Sequence, residues 1–310
     1  MKTESVISMD GPRESRQSSV MRSWPKRHSV ITYYALVFGI SWGGLLIAAA
    51  LGGVVGTNPS VTGPLRSPFA LAVMEAAPTV AGLLLIGLVY RGAGLRLFLS
   101  RLLRWRVGAS WYAVALLTIP LTATPVLLLL SLTSPAYLSP LFTSRDKVDL
   151  VLTGIAAGLL GGFAEETGWT GFAAPELKPR YGFLGAGLLV GFLWGLWHIP
   201  ITVWEVNASW TLFVGPLFFY AAVLPAYRVL MVWVYDRSES LLVVGLMHAS
   251  LIASTLSALQ PPVQGAPLVT YYIVLAAVLW VIVAAVARGH HVGRALSAVI
   301  RQESKWRGNA

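Results

Sequence analysis

Apolar residues run along this chain in long unbroken blocks, separated by short polar and basic segments. Eight blocks, near 31–54, 68–90, 109–133, 149–174, 183–204, 209–235, 240–260 and 268–287, reach the roughly 20 residues that a helix needs to cross a bilayer. None shows the apolar–polar alternation of a membrane strand, so each predicts a helix, whose backbone satisfies its own hydrogen bonds in lipid. The fold class predicted is all-α: a polytopic membrane bundle of about eight transmembrane helices over residues 29–290. Residues 1–28 are polar and rich in Ser and Arg, which predicts a disordered basic tail. They contain no short apolar core followed by a small-residue cleavage site, so the first block predicts an uncleaved anchor. Residues 291–310 predict a second basic tail, on the cytoplasmic side.

Composition sharpens this picture. Hydrophobic residues make up 56% of the 310 residues and charged residues 12%, about half the charged share of a soluble domain. Such a chain lacks the polar groups to cover its own surface in water, which excludes an ordinary soluble enzyme. Cysteine is absent, which excludes disulfides, thiolate metal sites and cysteine nucleophiles. The net charge of +10 would point to nucleic acid in a soluble protein, but here the position of each cation matters more. Twenty of the 23 Lys and Arg residues fall in the two tails, the loops after the second and fourth blocks, and the region ending the sixth. The alternate loops hold only Arg66, Arg145 and Lys147. Because cytoplasmic loops carry the positive excess, both termini are predicted to face the cytoplasm from the cell membrane, and no nucleic-acid partner is needed. The basic, amphipathic stretch at residues 95–108 suits a helix lying on anionic lipid headgroups.

Ionisable groups inside a membrane span are costly and usually functional. Three carboxylates and two histidines stand inside the blocks, Glu75, Glu165, Glu166, His198 and His248, with Glu205 at a block's edge. Gly154, Gly158 and Gly162 recur every four residues, and Glu165 follows three later. Gly187, Gly191 and Gly195 do the same ahead of His198. At 100° per residue each polar group falls within its own glycine stripe, and such stripes let helix backbones approach closely. Glu165 and His198 are therefore predicted to face the bundle interior. Consecutive spans run antiparallel, however, so the two groups meet only if one span is offset along the other.

Three segments carry a resemblance. Glu165-Glu166-Thr167-Gly168-Trp169-Thr170-Gly171-Phe172, then Trp194-Gly195-Leu196-Trp197-His198, then His248-Ala249-Ser250, are similar in order and spacing to the three motifs of the CAAX-protease and bacteriocin-processing (Abi) family of intramembrane proteases, which includes the type II CAAX prenyl endopeptidases. The resemblance covers about residues 149–260. Two positions depart from its pattern. Thr170 stands where the family has an Arg that steadies the second Glu, which leaves Lys178 or Arg180 as substitutes. Ile252 stands where the family has an Asn that helps to hold the oxyanion.

The resemblance implies an endopeptidase acting on a peptide or lipidated-protein substrate among membrane lipids. Its catalytic residues would be Glu165, Glu166, His198 and His248. Glu165 would be the general base, His198 would hold the same water, and His248 would donate to the oxyanion. A metal-free mechanism is preferred; zinc stays open, because one Glu and two His suffice for a catalytic zinc site, although no HExxH occurs. Glu75 reads equally as a bundle hydrogen-bonder or as a participant. Two rivals remain. One is a weak or inactive binding or immunity protein of the same family, suggested by Thr170 and Ile252. The other is a proton-coupled transporter, against which stands the absence of an inverted repeat. Reporter fusions test the topology: tags after Ala310 and at Leu138 should report opposite sides of the membrane, and same-side signals would remove the eight-span count.

Overall fold

The computed structural model describes the backbone of residues 28–54, 68–206 and 209–307, and the side chains of 28–50, 70–206 and 209–290. Residues 1–27 of the expected basic tail lie outside the described residues. Helix follows helix, and no strand occurs among the described residues. The elements are α1 (Ser29–Val54), α2 (Pro68–Leu85), α3 (Arg91–Leu102), α4 (Ala109–Ser131), α5 (Lys147–Gly168), α6 (Ala174–Glu205), α7 (Trp210–Phe218), α8 (Leu224–Ser238), α9 (Leu241–Ala253) and α10 (Ala266–Arg307). Single π-turns join α5 to α6 and α7 to α8, and a third follows α2, where Arg91 at φ 55° and ψ −149° breaks the path into α3. The backbone of α10 stays helical through most of the segment read as a C-terminal tail.

Seven stretches among the described residues are long and apolar enough to span a membrane, and one of them, Lys147–Glu205, is 59 residues long. At 1.5 Å per residue a straight helix of that length would reach about 90 Å, three times a hydrocarbon core. It does not run straight. Gly182 adopts φ 66° and ψ −178°, a conformation that glycine alone takes without strain. Beyond it the chain turns back, so that Trp194 reaches Glu165 by hydrogen bond. This stretch therefore holds the fourth and fifth expected crossings, and the bundle has the eight-helix membrane architecture that the blocks predict.

The two glycine stripes do not face each other. Gly154, Gly158 and Gly162 lie on α9: a Cβ at Gly158 would sit 2.4 Å from the Ala249 carbonyl oxygen, and one at Gly162 would sit 2.8 Å from the Ala249 nitrogen. Gly187, Gly191 and Gly195 lie instead on α8 and the π-turn before it, against Val229, Pro225 and Tyr220. The core is thus two close helix pairs, α5 with α9 and α6 with α8. α2 lies along α5, and α1 packs on α2 and α6. Leu116, Leu117, Leu121, Leu128 and Leu129 of α4 are exposed, as suits a lipid-facing helix.

Loop cations gather at one end. Arg104 pairs with Glu239 at 2.6 Å, and Lys178 pairs with Asp236. Ser240 caps α9 through the Val243 nitrogen and donates to the Arg104 carbonyl, which ties the α8–α9 turn to the segment after α3. The loops after the second, fourth and sixth spans therefore share a side. Arg228 is a correction. It stands in the region ending the sixth block, whose cations the charge count places on the cytoplasmic side, yet it is 0% exposed inside the bundle.

The glycine contacts give a direct test. Gly158→Ala and Gly191→Ala should each destabilise the detergent-solubilised protein by about 1–3 kcal/mol, the cost of overpacking a filled contact. Gly39→Ala, where nothing lies within 4 Å, should not. Thermal unfolding of the three variants side by side is the measurement, and equal midpoints would mean that the stripes are not close-packed.

Candidate active site

The site forms where the last turn of α5 meets the middle of α9 and the side of α6. Glu165 and Glu166 are consecutive, so they leave α5 about 100° apart and take different partners. Both are buried, 3% and 1% exposed.

Glu166 is fully engaged. Its two oxygens receive Arg228 Nη1 and Nη2 at 2.8 Å each, a bidentate fork. The Thr170 hydroxyl also donates to Oε2, and His248 Nδ1 lies 2.8 Å from Oε1. Arg228 comes from α8, a chain distance of 62 residues, and its guanidinium stacks 4.3 Å over the Trp194 ring. The guanidinium supplies the positive charge that the sequence assigned to Lys178 or Arg180. Lys178 instead pairs with Asp236, and Arg180 stacks on Tyr181. Thr170 is small enough to sit beside the fork, with its hydroxyl 3.4 Å from Arg228 Nη1.

Glu165 is engaged on one oxygen only. Oε2 accepts from Trp169 Nε1 at 2.9 Å and from Trp194 Nε1 at 2.6 Å. Oε1 faces His248 Nε2 at 3.7 Å. A carboxylate paired with Arg228 can only accept, so the hydrogen bond to Glu166 carries the proton of His248 on Nδ1. A neutral His248 ring then turns the lone pair of Nε2 toward Glu165. In this tautomer the N–H of His248 is committed to Glu166.

His198 lies one ring away. Its Nδ1 is 2.9 Å from the Trp194 carbonyl oxygen, one turn back on α6. The ring stacks on Tyr220 at 5.1 Å and meets Trp197 edge-on at 4.7 Å. Trp194 stands between the histidines, 4.8 Å from His248 and 5.9 Å from His198, centroid to centroid. Glu165, Glu166 and His248 are thus brought together directly, and His198 joins through the Trp194 ring. No three His, Cys, Asp or Glu side chains among the described residues converge as metal ligands. The Glu165–His198–His248 set therefore does not fit the zinc centre left open above, and no step is routed through a metal.

Residues 147–254 match the family described as type II CAAX prenyl endopeptidase Rce1-like. Over this segment the chain is similar to the Rce1-like family. It is also similar to a CAAX prenyl protease 2 from Methanococcus maripaludis, 26% identical over 98 residues, which cover 30% of this chain and 36% of that protein. The chain thus matches about a third of the length of this curated relative. All the groups described above, including Arg228, lie within the Rce1-like segment, whereas Glu75 lies outside it.

Sequence reasoning missed Arg228, although a signal existed: the residue stands well inside an apolar block, between Tyr227 and Val229. The rule that flagged buried Glu and His applies to it equally. Its importance is measurable. Arg228→Ala leaves Glu166 charged and unpaired and should cost about 3–5 kcal/mol of stability. Adding Glu166→Gln removes the stranded charge and should recover part of that loss. A double-mutant cycle in detergent unfolding reads the coupling, and additive losses would mean that the pair is not coupled.

Proposed function

We propose that this protein is an intramembrane endopeptidase that hydrolyses a peptide bond by water held between Glu165 and His248. The reading rests on one observation: Glu165 Oε1 and His248 Nε2 face each other at 3.7 Å while their other polar atoms are held by fixed partners. Two acceptors so placed take both hydrogens of one water and turn its lone pair outward. Glu165 accepts a proton as the water oxygen attacks the carbonyl carbon; the C–N bond then breaks, and the nitrogen takes up a proton as it departs as the amine. Glu166 and Arg228 hold His248 in the orientation that presents Nε2. Trp169 and Trp194 hold Glu165 as the anion. His198 forms part of the wall beside them.

The substrate proposed is a lipidated, CAAX-type tail or a small apolar peptide, cut in the membrane with both termini of the protease on the cytoplasmic side. A mostly apolar cavity of about 290 Å³ reaches Gly171 and Phe172, just after Thr170 in the chain, with Ile86, Leu97, Phe98 and Leu241 among its walls and Arg101 and Glu176 in its lining. Its chemistry suits an apolar chain. The rival reading, a non-catalytic binding protein, loses the support of Thr170, because Arg228 supplies the missing charge. It keeps that of Ile252, which offers no hydrogen bond to an oxyanion.

Cleavage of a quenched CAAX-type peptide library by the purified protein is the test. Glu165→Gln should abolish turnover in a folded protein, and its combination with His248→Ala should lose no more than the single change, as for groups acting as a unit. Ile252→Asn restores a donor one turn from His248 and should raise kcat, by roughly 10²-fold at most, with little change in KM. Turnover that survives Glu165→Gln would end the proteolytic reading. A folded Ile252→Asn variant with no gain, beside a silent wild type, would favour the binding protein.

A further inference from the structure

One carboxyl near the site is used by none of these steps. Glu75 stands on α2, and its buried Oε2 has no hydrogen-bond partner. Neighbouring contacts fix its position. The Thr79 hydroxyl donates to the Ala164 carbonyl, and a Cβ at Gly82 would sit 3.0 Å from Gly168 Cα. α2 and α5 therefore run parallel in close contact across the Glu165–Glu166 pair. Pro78 lacks the N–H that would bond the Met74 carbonyl, and that carbonyl accepts from the Ser41 hydroxyl, itself held by Trp197 Nε1. The turn bearing Glu75 is anchored on both sides.

From that turn the carboxyl enters the cleft between α5 and α9. A Cβ at Gly161 would lie 3.5 Å from Glu75 Oε2 and 3.0 Å from Ile252 Cδ1. Gly161 is one helical turn before Glu165, and Ile252 is one turn after His248. The free oxygen of Glu75 thus lies beside Gly161, on the α5 turn that precedes Glu165 and next to the side chain one turn after His248.

Two carboxyls this close in a medium of low dielectric share one proton. Two indole N–H groups hold Glu165 as the anion. Glu75 receives no such donor at Oε2, an arrangement that favours the shared proton on Glu75. Resting on the proteolytic reading above, we propose that Glu75 is a further catalytic residue, the general acid that protonates the departing amine. The proton that water gives to Glu165 remains on Glu165 as the C–N bond breaks. The amine nitrogen takes the proton of Glu75, and transfer from Glu165 to Glu75 restores the starting state. One water is consumed, and one carboxylic acid and one amine are released.

The test compares two leaving groups. Glu75→Gln should lower kcat on a CAAX-type peptide by about 10²–10⁴-fold, the range of general acid catalysis, with KM little changed. On the same substrate with an ester at the scissile bond, whose alkoxide leaves with far less need of a proton, the loss should be within several-fold. A structural role would slow both substrates alike, so equal losses, or no loss on the peptide, overturn the proposal. Wild-type protein and Glu165→Gln run beside it: a silent wild type or an active Glu165→Gln is a failure of the proteolytic reading instead. Infrared spectroscopy decides the proton's place even then. Wild-type protein at neutral pH should show a protonated-carboxyl C=O band that Glu75→Gln removes, and its absence from wild type, or its persistence in Glu75→Gln, overturns the assignment.

Discussion

A fork of two hydrogen bonds between Arg228 and Glu166, buried where no water reaches it, is the interaction around which the centre of this bundle is arranged. Withdrawing two opposite charges from water costs several kcal/mol each. The cost is offset only when the geometry is close and every remaining lone pair is used. The carboxylate meets both conditions: the guanidinium reaches both of its oxygens at 2.8 Å, and Thr170 and His248 complete it, while Arg228 Nε stays without a hydrogen-bond partner. α8 is thereby locked to α5, and α9 is tied to the same carboxylate through His248. Three helices distant in sequence share one electrostatic knot.

What that knot positions is a softer pair of groups. Glu166 spends its charge on structure, which leaves Glu165, its neighbour in sequence, with one free oxygen facing the free nitrogen of His248. Trp194 links the two halves: its N–H holds Glu165, its face carries Arg228 and its edge touches both histidines. Consecutive glutamates with opposed roles, one paired and one free, are the chemical content of the site, and glycine makes the distances available. α5 and α9 approach until backbone meets backbone at Gly158 and Gly162, and only then does a histidine on one helix reach carboxylates on the other.

The departures from the family pattern also take on different meanings. Thr170 removes a cation locally, and Arg228 returns one from another helix at the same carboxylate. Ile252 has no such replacement as a hydrogen-bond donor. Its side chain lies in the cleft where Glu75 enters, which gives that cleft an apolar wall and one unpaired carboxyl.

By itself the sequence determined the helices and the faces of its polar residues. Apolar blocks of bilayer length leave the backbone no other form in lipid, and a period of 3.6 residues assigns each side chain a direction from local information alone. The inward face of Glu165 was legible for that reason. Tertiary structure alone decided which faces meet. The two stripes looked like partners for each other because both are glycine-lined and adjacent in sequence, yet the turn at Gly182 sends one to α9 and the other to α8. His198 consequently stands behind Trp194 and not on the carboxylates. Arg228 read as an interfacial cation because charge near a span's end reports topology, and its role depends on a partner 62 residues away. A helix's own sequence fixes where its side chains point but carries no information on what stands opposite, because that depends on backbone approach summed over the whole bundle.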